Sequence, residues 1–446
     1  ALIPASAGVS AIQLGEALVR YLQGWPHTTL ITAAHIDTVF GPGFAQTALD
    51  GGNADMRLRH WLAELEERHV FVLYAADNDH DPWSLRCLRQ ADRILILAEA
   101  ASPPDDVPVL DQLRAGGLLA PVELVLLRPE GDPSPHTRAW LKDTGARAHY
   151  FVHPWAHADI CALARQISGR GIGLVLGGGG ARGFAHIGLL RAFEQLQIPV
   201  DIAGGTSMGA FVSAMLACGF DSVEMEHIAH ETFVARNHLN DYTLPKVSLI
   251  RGQRFHHRLQ AIFGNRQIEE LRRSYYCITT NLTTGMPMVH DSGGLATWVG
   301  SSMSVPGVAP PVAYEGDLLC DGAVVNNLPT DVMQNLERGV IIASNVSATG
   351  EIRAPGAGMG EPDQQALLKW RGQQRAPRLS EILMRSASLA SETSIQQASI
   401  ERADICLHLP VQDIGMFDWP CLSELIERGY RHAMEELTPL RDSLPS

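Results

Sequence analysis

The sequence predicts an α/β protein in two parts: an N-terminal Rossmann-like domain over residues 1–165, then a second α/β domain over residues 169–446. Three observations carry this expectation. In the first part, short apolar runs alternate with helical patterns, as buried parallel strands joined by crossover helices do. After Gly169 the alternation resumes, now with two glycine-rich turns, GGGGARG (177–183) between an apolar strand and an amphipathic helix, and GGTSMGAF (204–211) between an apolar strand and an apolar helix. The chain of 446 residues, 46% of them hydrophobic, has room for more than one core at roughly 150 residues per domain.

In the first part the expected strands are HVFVLY (His69–Tyr74), RILILAEA (Arg93–Ala100) and VELVLLRP (Val122–Pro129), with PWSLRCLRQ and VPVLDQLRAG as helical crossovers. The first loop, PASAGVSAIQLGEAL, falls where a phosphate-binding loop would sit, yet it lacks Gly-Lys-Ser/Thr. The domain reads as a degenerate nucleotide fold without a phosphate-binding loop, and its function is not legible.

The second part opens with a strand at Ile172–Leu176, a helix from Ala185, a strand at Val200–Ala203 and a helix after Ser207. A hairpin of CITTNL and MPMVHD follows, then LLCDGAVVNNLP and the strand GVIIASNV. Gly350–Gln365, rich in Gly and Pro, reads as a loop. A helical pattern around Leu379–Ala403, a strand at Ile405–Leu409 and a helix from Leu422 to Leu437 complete the chain, with no internal repeat. Ile202–Phe220 carries no charge, but its glycines and polar Gly-Thr-Ser start fit a buried strand–turn–helix better than a membrane span.

Composition narrows the function. Against 49 acidic residues stand 35 basic ones, a net charge of −14, which argues against a nucleic-acid partner. Seven cysteines without a CxxC pair suit reduced thiols better than a disulfide framework or a zinc site. The N-terminus lacks both a signal peptide and an initiator Met, so a fragment of a longer protein is expected.

Gly178, Gly180 and Gly183 satisfy GxGxxG between a strand and a helix, a dinucleotide-binding fingerprint, and Asp201 lies downstream. Asp201 falls at the start of the second strand, however, whereas a ribose-binding acid sits at a strand's end. What stands at that end is Gly205, Ser207 and Gly209, a GxSxG in the strand–helix context of a nucleophile elbow. For the base, His408 lies downstream but alternates with Leu407 and Leu409 like an ordinary partly buried histidine, and His290 and His432 have no better context. Asp321, followed by Gly322 and Ala323, is either a base at a strand end or a turn-forming Asp-Gly.

Together GGGGARG, GTSMG (205–209) and DGA (321–323) resemble the motifs of the patatin-like phospholipases, with DGA in place of the usual DGG. RHWLAELEERHVFVLYAADNDHDPWSLRCLRQADRILILAE, SSMSVPGVAPPV and NNLPTDV extend the likeness to the catalytic region of neuropathy target esterase and its bacterial relatives, over nearly the whole chain. The resemblance implies a patatin-like three-layer α/β/α second domain and a serine esterase that cleaves acyl esters of lysophospholipids or phospholipids through an acyl-enzyme, without metal or cofactor. Ser207 and Asp321 are then the catalytic dyad and Gly178, Gly179 and Gly180 the oxyanion hole, with Arg182, Gly205, Gly209 and Gly322 in support. Arg182 is read as bracing the loop in preference to attracting the substrate phosphate, and Asn326 and Asn327 as surface turn residues in preference to orienting Asp321. It further implies a lipid substrate, transient contact with the cytoplasmic side of a membrane by a soluble fragment, and cyclic-nucleotide-binding domains upstream in a longer chain.

The helix Ala185–Ile198, with Leu189, Phe193 and Leu196 at helical spacing, is expected to pack into the core. Tyr242–Gly264 mixes apolar and basic residues and reads equally as a lipid-contacting segment or as a surface helix packed on its own domain. A dinucleotide-dependent enzyme and a non-catalytic regulatory module are the competing functions; the presence of both Ser207 and Asp321 counts against the latter.

Overall fold

A computed structural model describes residues 1–22, 27–77, 81–105, 107–114, 120–128, 134–153, 156–347, 365, 369, 371, 382, 386 and 395–445. The chain divides into two compact units, Ala1–Ser168 and Gly169–Ser446.

The first unit alternates strand and helix in the order β1 (Leu2–Pro4), α1 (Ala11–Leu22), β2 (Thr28–Ile31), α2 (Ala33–Phe40), α3 (Asn53–Arg68), β3 (Phe71–Tyr74), α4 (Pro82–Gln90), β4 (Ile94–Glu99), α5 (Pro108–Arg114), β5 (Val122–Leu127), α6 (Thr137–Thr144), β6 (His149–Val152) and α7 (His157–Ile167). β1, β4, β5 and β6 form a parallel sheet in that order, β2 pairs with β3, and a parallel bridge between Leu2 and Ala75 joins the pair to β1. Helices cover both faces, which is why β4 is apolar from Ile94 to Ala98. Ile94, Ile96 and Ala98 enter one core cluster, while Leu95 and Leu97 enter the other. In the loop after β1, Ser6 Oγ accepts from the N–H of Glu99 at 3.1 Å, and the Glu99 carboxylate accepts from Ser102 Oγ at 3.0 Å. A carboxylate thus stands beside the position where a nucleotide fold would hold a phosphate.

The second unit runs β7 (Gly171–Leu176), α8 (Ala185–Leu196), β8 (Ile202–Thr206), α9 (Met208–Ala217), α10 (Ser222–Ala229), α11 (Gln253–Phe263), β9 (Ser274–Asn281), β10 (Met286–His290), α12 (Leu295–Ser302), β11 (Val312–Tyr314), β12 (Asp317–Asp321), α13 (Thr330–Asn335), β13 (Gly339–Asn345), α14 (Ile395–Glu401), β14 (Ile405–His408) and α15 (Leu422–Leu437). Its sheet has the order β11-β12-β9-β8-β7-β13-β14, parallel from β9 to β14, with β10 also on β9. The Gly350–Gln365 loop and most of the Leu379–Ala403 helical pattern lie outside the described residues.

The register around β9 places the site. β8 runs parallel to β9 and ends with Thr206 opposite Ile278. β12 runs antiparallel to β9 and ends with Asp321 opposite Thr279, the next residue. β10 pairs with Cys277 through Asn281 and so occupies one edge of β9 over that whole stretch. A strand has only two edges, so β8 and β12 share the other and meet there end to end.

The second strand runs from Ile202 to Thr206, later than the expected Val200–Ala203. Gly204 and Gly205 continue it by pairing with Val175 and Leu176 on one side and Tyr276 and Cys277 on the other, and position 204 takes glycine because a Cβ there would stand 2.2 Å from the Tyr276 ring. The uncharged Ile202–Phe220 stretch is this strand plus α9, and among the described residues no helix is long and apolar enough to cross a membrane.

On α8, Leu189 and Phe193 are buried and Leu196 packs against the same core. α15 lies across it with almost no side chain between them: a Cβ on Gly429 would stand 2.1 Å from Ala185 O, and one on Gly188 would stand 1.9 Å from Ile426 O. Such close approach holds only where both positions lack a side chain. Gly429→Val should therefore destabilise the protein by about 1–3 kcal/mol, the usual range for overpacking. The measurement is urea unfolding, with a lowered midpoint at unchanged slope.

Candidate active site

Ser207 stands on the turn between β8 and α9 at φ 55° and ψ −121°, left-handed backbone that a residue with a Cβ rarely adopts. The surroundings enforce it. Ser207 N–H donates to Ser302 Oγ at 3.0 Å, and Ser302 Oγ donates to Ile278 O at 2.6 Å, linking the turn to β9 just where β8 ends. Thr206 Oγ1 donates to Asn326 O at 2.9 Å. Beneath the turn, a Cβ on Gly209 would meet Leu176 O at 2.0 Å and one on Gly205 would meet it at 2.6 Å, so neither position accepts a side chain.

Asp321 ends β12 on the same edge and is fully buried. Ser207 Oγ donates to its Oδ2 at 2.7 Å, and the N–H of Ala323 donates to its Oδ1 at 2.9 Å. Asp321's own N–H donates to Ser304 O at 2.9 Å. Burial pushes the carboxyl pKa up to about 6, with the Ser207 hydroxyl and the Ala323 amide holding it lower than burial alone would. Gly322 lies against β9, where a Cβ would stand 2.4 Å from Ile278 O.

The glycine loop is tied down at several points. Gly177 N–H donates to Ser344 O at 3.0 Å, and buried His186 lies beside it, with Nε2 2.9 Å from Gly177 O and Nδ1 3.0 Å from Ser344 Oγ. Since a carbonyl only accepts, Nε2 carries the proton; burial lowers the His186 pKa to about 4, so the ring is neutral. Gly178 N–H donates to Asn327 Oδ1 at 3.1 Å, and Asn327 Nδ2 donates to Gly178 O at 3.2 Å and to Ser347 Oγ at 2.8 Å. Ala181 N–H donates to Met416 O at 2.8 Å. The N–H groups of Gly179 and Gly180 make no hydrogen bond to another described residue, and both residues line the cavity that holds Ser207.

That cavity encloses about 120 Å³ and is bounded by Gly178, Gly179, Gly180, Arg182, Ser207, Asp321 and Asn327 on its polar side. Leu239, Ile250, Phe255, Met303, Val305, Val308, Leu328, Met416, Phe417 and Trp419 make the rest largely apolar. Trp419 is itself stacked on Phe233, with ring centroids 4.9 Å apart.

The other candidates lie elsewhere. His408 is exposed on β14, 3.4 Å from Asn345 Nδ2. His290 is buried, 2.7 Å from Thr279 Oγ1, and stacks on Trp298 at 3.7 Å. His432 sits on α15, and none of the three lines the cavity. Asp201 precedes β8, at the opposite end from Ser207, and accepts from Ile172 N–H at 2.9 Å.

Asn326 and Asn327 are not surface turn residues. Asn326 is buried and donates to Asp331 at 2.8 Å, while Asn327 clamps the glycine loop instead of orienting Asp321. Ser302, His186 and Met416, and the clamping role of Asn327, are not legible in the sequence, because they arise only from long-range pairing.

Residues 174–333 match the patatin-like phospholipase family, and residues 1–170 match the Neuropathy Target Esterase family P-loop like domain. Patatin-like phospholipase domain-containing protein 7 of Mus musculus is 32% identical over 97% of this chain and 34% of its own length. Lysophospholipase nte1 of Aspergillus oryzae is 31% identical over 100% of this chain and 33% of its own, and that of Aspergillus terreus is 30% identical over 99% and 33%. The chain spans about a third of the length of these curated relatives.

The buried carboxyl has a thermodynamic signature. Folded Asp321 holds its proton up to about pH 6, whereas the unfolded aspartate releases it near 3.8, so this group subtracts stability as pH rises across that window. Asp321→Asn removes the charge while keeping an acceptor for Ala323. It should stabilise the chain near neutral pH by up to about 3 kcal/mol, with the gain vanishing once pH falls below the unfolded value. Urea unfolding at the two pH values checks this.

Proposed function

Because residues 174–333 match the patatin-like phospholipase family and residues 1–170 the Neuropathy Target Esterase family P-loop like domain, we propose that this chain hydrolyses acyl esters of lysophospholipids or phospholipids with a Ser207–Asp321 dyad. The observation that carries this reading is the 2.7 Å hydrogen bond from Ser207 Oγ to a fully buried Asp321, set in the wall of a largely apolar cavity. The homologues named lysophospholipase support the substrate class.

Ser207 Oγ attacks the ester carbonyl and Asp321 accepts its proton, forming a tetrahedral oxyanion. The N–H groups of Gly179 and Gly180 stabilise that oxygen; Gly178, whose N–H is given to Asn327, shapes the hole instead of donating into it. Collapse expels the alcohol, which takes a proton from Asp321, and leaves an acyl-serine. A water deprotonated by Asp321 then attacks the acyl carbon; the second collapse returns the proton to Ser207 and releases the fatty acid. The apolar wall from Leu239 to Trp419 holds the acyl chain and excludes water, which raises the basicity of the carboxylate.

A dinucleotide-binding reading has less support: the glycine loop opens onto Ser207, and Asp201 lies at the wrong end of its strand. Free cysteines throughout suit action on the reducing, cytoplasmic side of a membrane.

Fatty-acid release from lysophosphatidylcholine tests the proposal. Ser207→Ala and Asp321→Asn should each lower kcat by at least about 10²–10⁴-fold, and the double substitution should go no lower, since the two act as one unit. His408→Ala should leave the rate unchanged, and loss of activity there would sink the dyad. In the intact chain, kcat/KM should rise with pH through about 6 as Asp321 ionises and stay level above it; a bell-shaped profile centred on a histidine would argue for another base.

A further inference from the structure

The basic, apolar segment Tyr242–Gly264 divides into two halves with different fates. Helix α11 buries Phe255, Leu259 and Phe263 in the core of its own unit. The half before it is a loop closed on itself: Tyr242 bridges Ile250, Thr243 N–H donates to Leu249 O at 3.0 Å, and the Asp241 carboxylate accepts from the N–H groups of Gly252 and Arg254, each at 3.2 Å. Its tip faces water with large apolar side chains, Tyr242 being 73%, Leu244 77% and Val247 69% exposed. Its base belongs to the cavity. Ile250 lines the wall, and the N–H groups of Leu249 and Ile250 donate to Gly307 O and Val308 O at 3.0 Å, in the segment that forms another part of that wall.

Charge sets the stretch from this loop through α11 apart from the rest of the chain, with Asp241 at its start the loop's one acidic residue. From Tyr242 to Ile268 there are five basic residues (Lys246, Arg251, Arg254, Arg258 and Arg266) and no Asp or Glu, in a protein whose net charge is −14. Lys246 near the tip, Arg251 at the end of the loop and Arg254 at the start of α11 are all exposed.

We propose that the loop 241–252 is the surface by which this protein docks on an anionic lipid bilayer. Leu244, Val247 and Tyr242 enter the interface while Lys246, Arg251 and Arg254 meet the headgroups. The choice of lipid over another occupant rests on the esterase reading: the loop adjoins an apolar cavity suited to an acyl chain, and its cationic rim complements anionic headgroups. An anionic surface repels a protein of net charge −14 on the whole, and a basic patch of this kind favours the orientation in which it faces the bilayer.

The test is co-sedimentation of the full chain, carrying Ser207→Ala so that lipid is not consumed, with vesicles of phosphatidylcholine alone or of equimolar phosphatidylcholine and phosphatidylserine. The chain should partition onto the mixed vesicles in preference to the neutral ones. Leu244→Asp with Val247→Asp, and separately Lys246→Glu with Arg251→Glu, should each lower that partition by about tenfold or more. With Ser207 present, the same substitutions should leave turnover of a water-soluble short-chain ester unchanged, which also shows that the variants are folded. Equal partition of parent and variants overturns the proposal, as does failure of the parent to bind mixed vesicles. A dimer that Leu244→Asp with Val247→Asp dissociates, with no change in vesicle partition, overturns it in favour of a second copy of the chain. Loop-dependent vesicle binding by a chain that hydrolyses no ester supports the docking surface and retires the esterase reading alone.

Discussion

The edge of β9 is the constraint on which the candidate site rests. Two strands of opposite direction share it, and the handover falls between Ile278 and Thr279. One strand ends at Thr206, immediately before Ser207, and the other ends at Asp321, so backbone pairing alone brings the two side chains within reach. A hydrogen bond between side chains distant in sequence would otherwise require ordering two independent loops, at an entropic cost of about 1–2 kcal/mol per residue fixed. Here the sheet has already met that cost, and Ser302 closes the seam by joining Ile278 O to the Ser207 N–H.

The remaining features work against local preference and are held by their surroundings. Ser207 adopts a left-handed backbone, Asp321 keeps a carboxylate where burial favours the acid, and the glycine loop leaves the amides of Gly179 and Gly180 without a partner among the described residues, in the wall of a largely apolar cavity. Each would relax if isolated. Each is restrained by groups with no part in bond making: Asn327 and His186 on the loop, Ala323 on the carboxylate, and the floor at Leu176 under the turn. Strain and desolvation are thus concentrated at one place and balanced by the core around it.

Much of this was legible in the sequence because it is local. The strand–glycine–helix grammar marks Ser207 and the loop 177–183, and the apolar runs mark the parallel strands; both are set by neighbours a few residues away. Asp321 was legible only as an alternative, turn or base, until the resemblance tipped it. What stayed hidden is non-local. Asn327 looks like part of an ordinary Asn-Asn turn, His186 like a polar residue on a helix, and Met416 like a loop residue, because the partner of each lies far along the chain. The availability of the Gly178 amide was illegible for the same reason: four consecutive glycines look alike until Asn327 takes the amide of one of them.

The close contact of α8 with α15 has a bearing on when the site comes into being. The helix that follows the glycine loop is packed against residues 422–437, and the loop itself is tied to Met416, far downstream on the chain. On a ribosome the serine turn and the loop emerge long before either support exists, and contacts of such sequence separation form late. An unfinished chain therefore lacks the framework that holds its donors in place. The order of synthesis thus sets when the site is assembled: not before residues 422–437 have been made and have packed on α8.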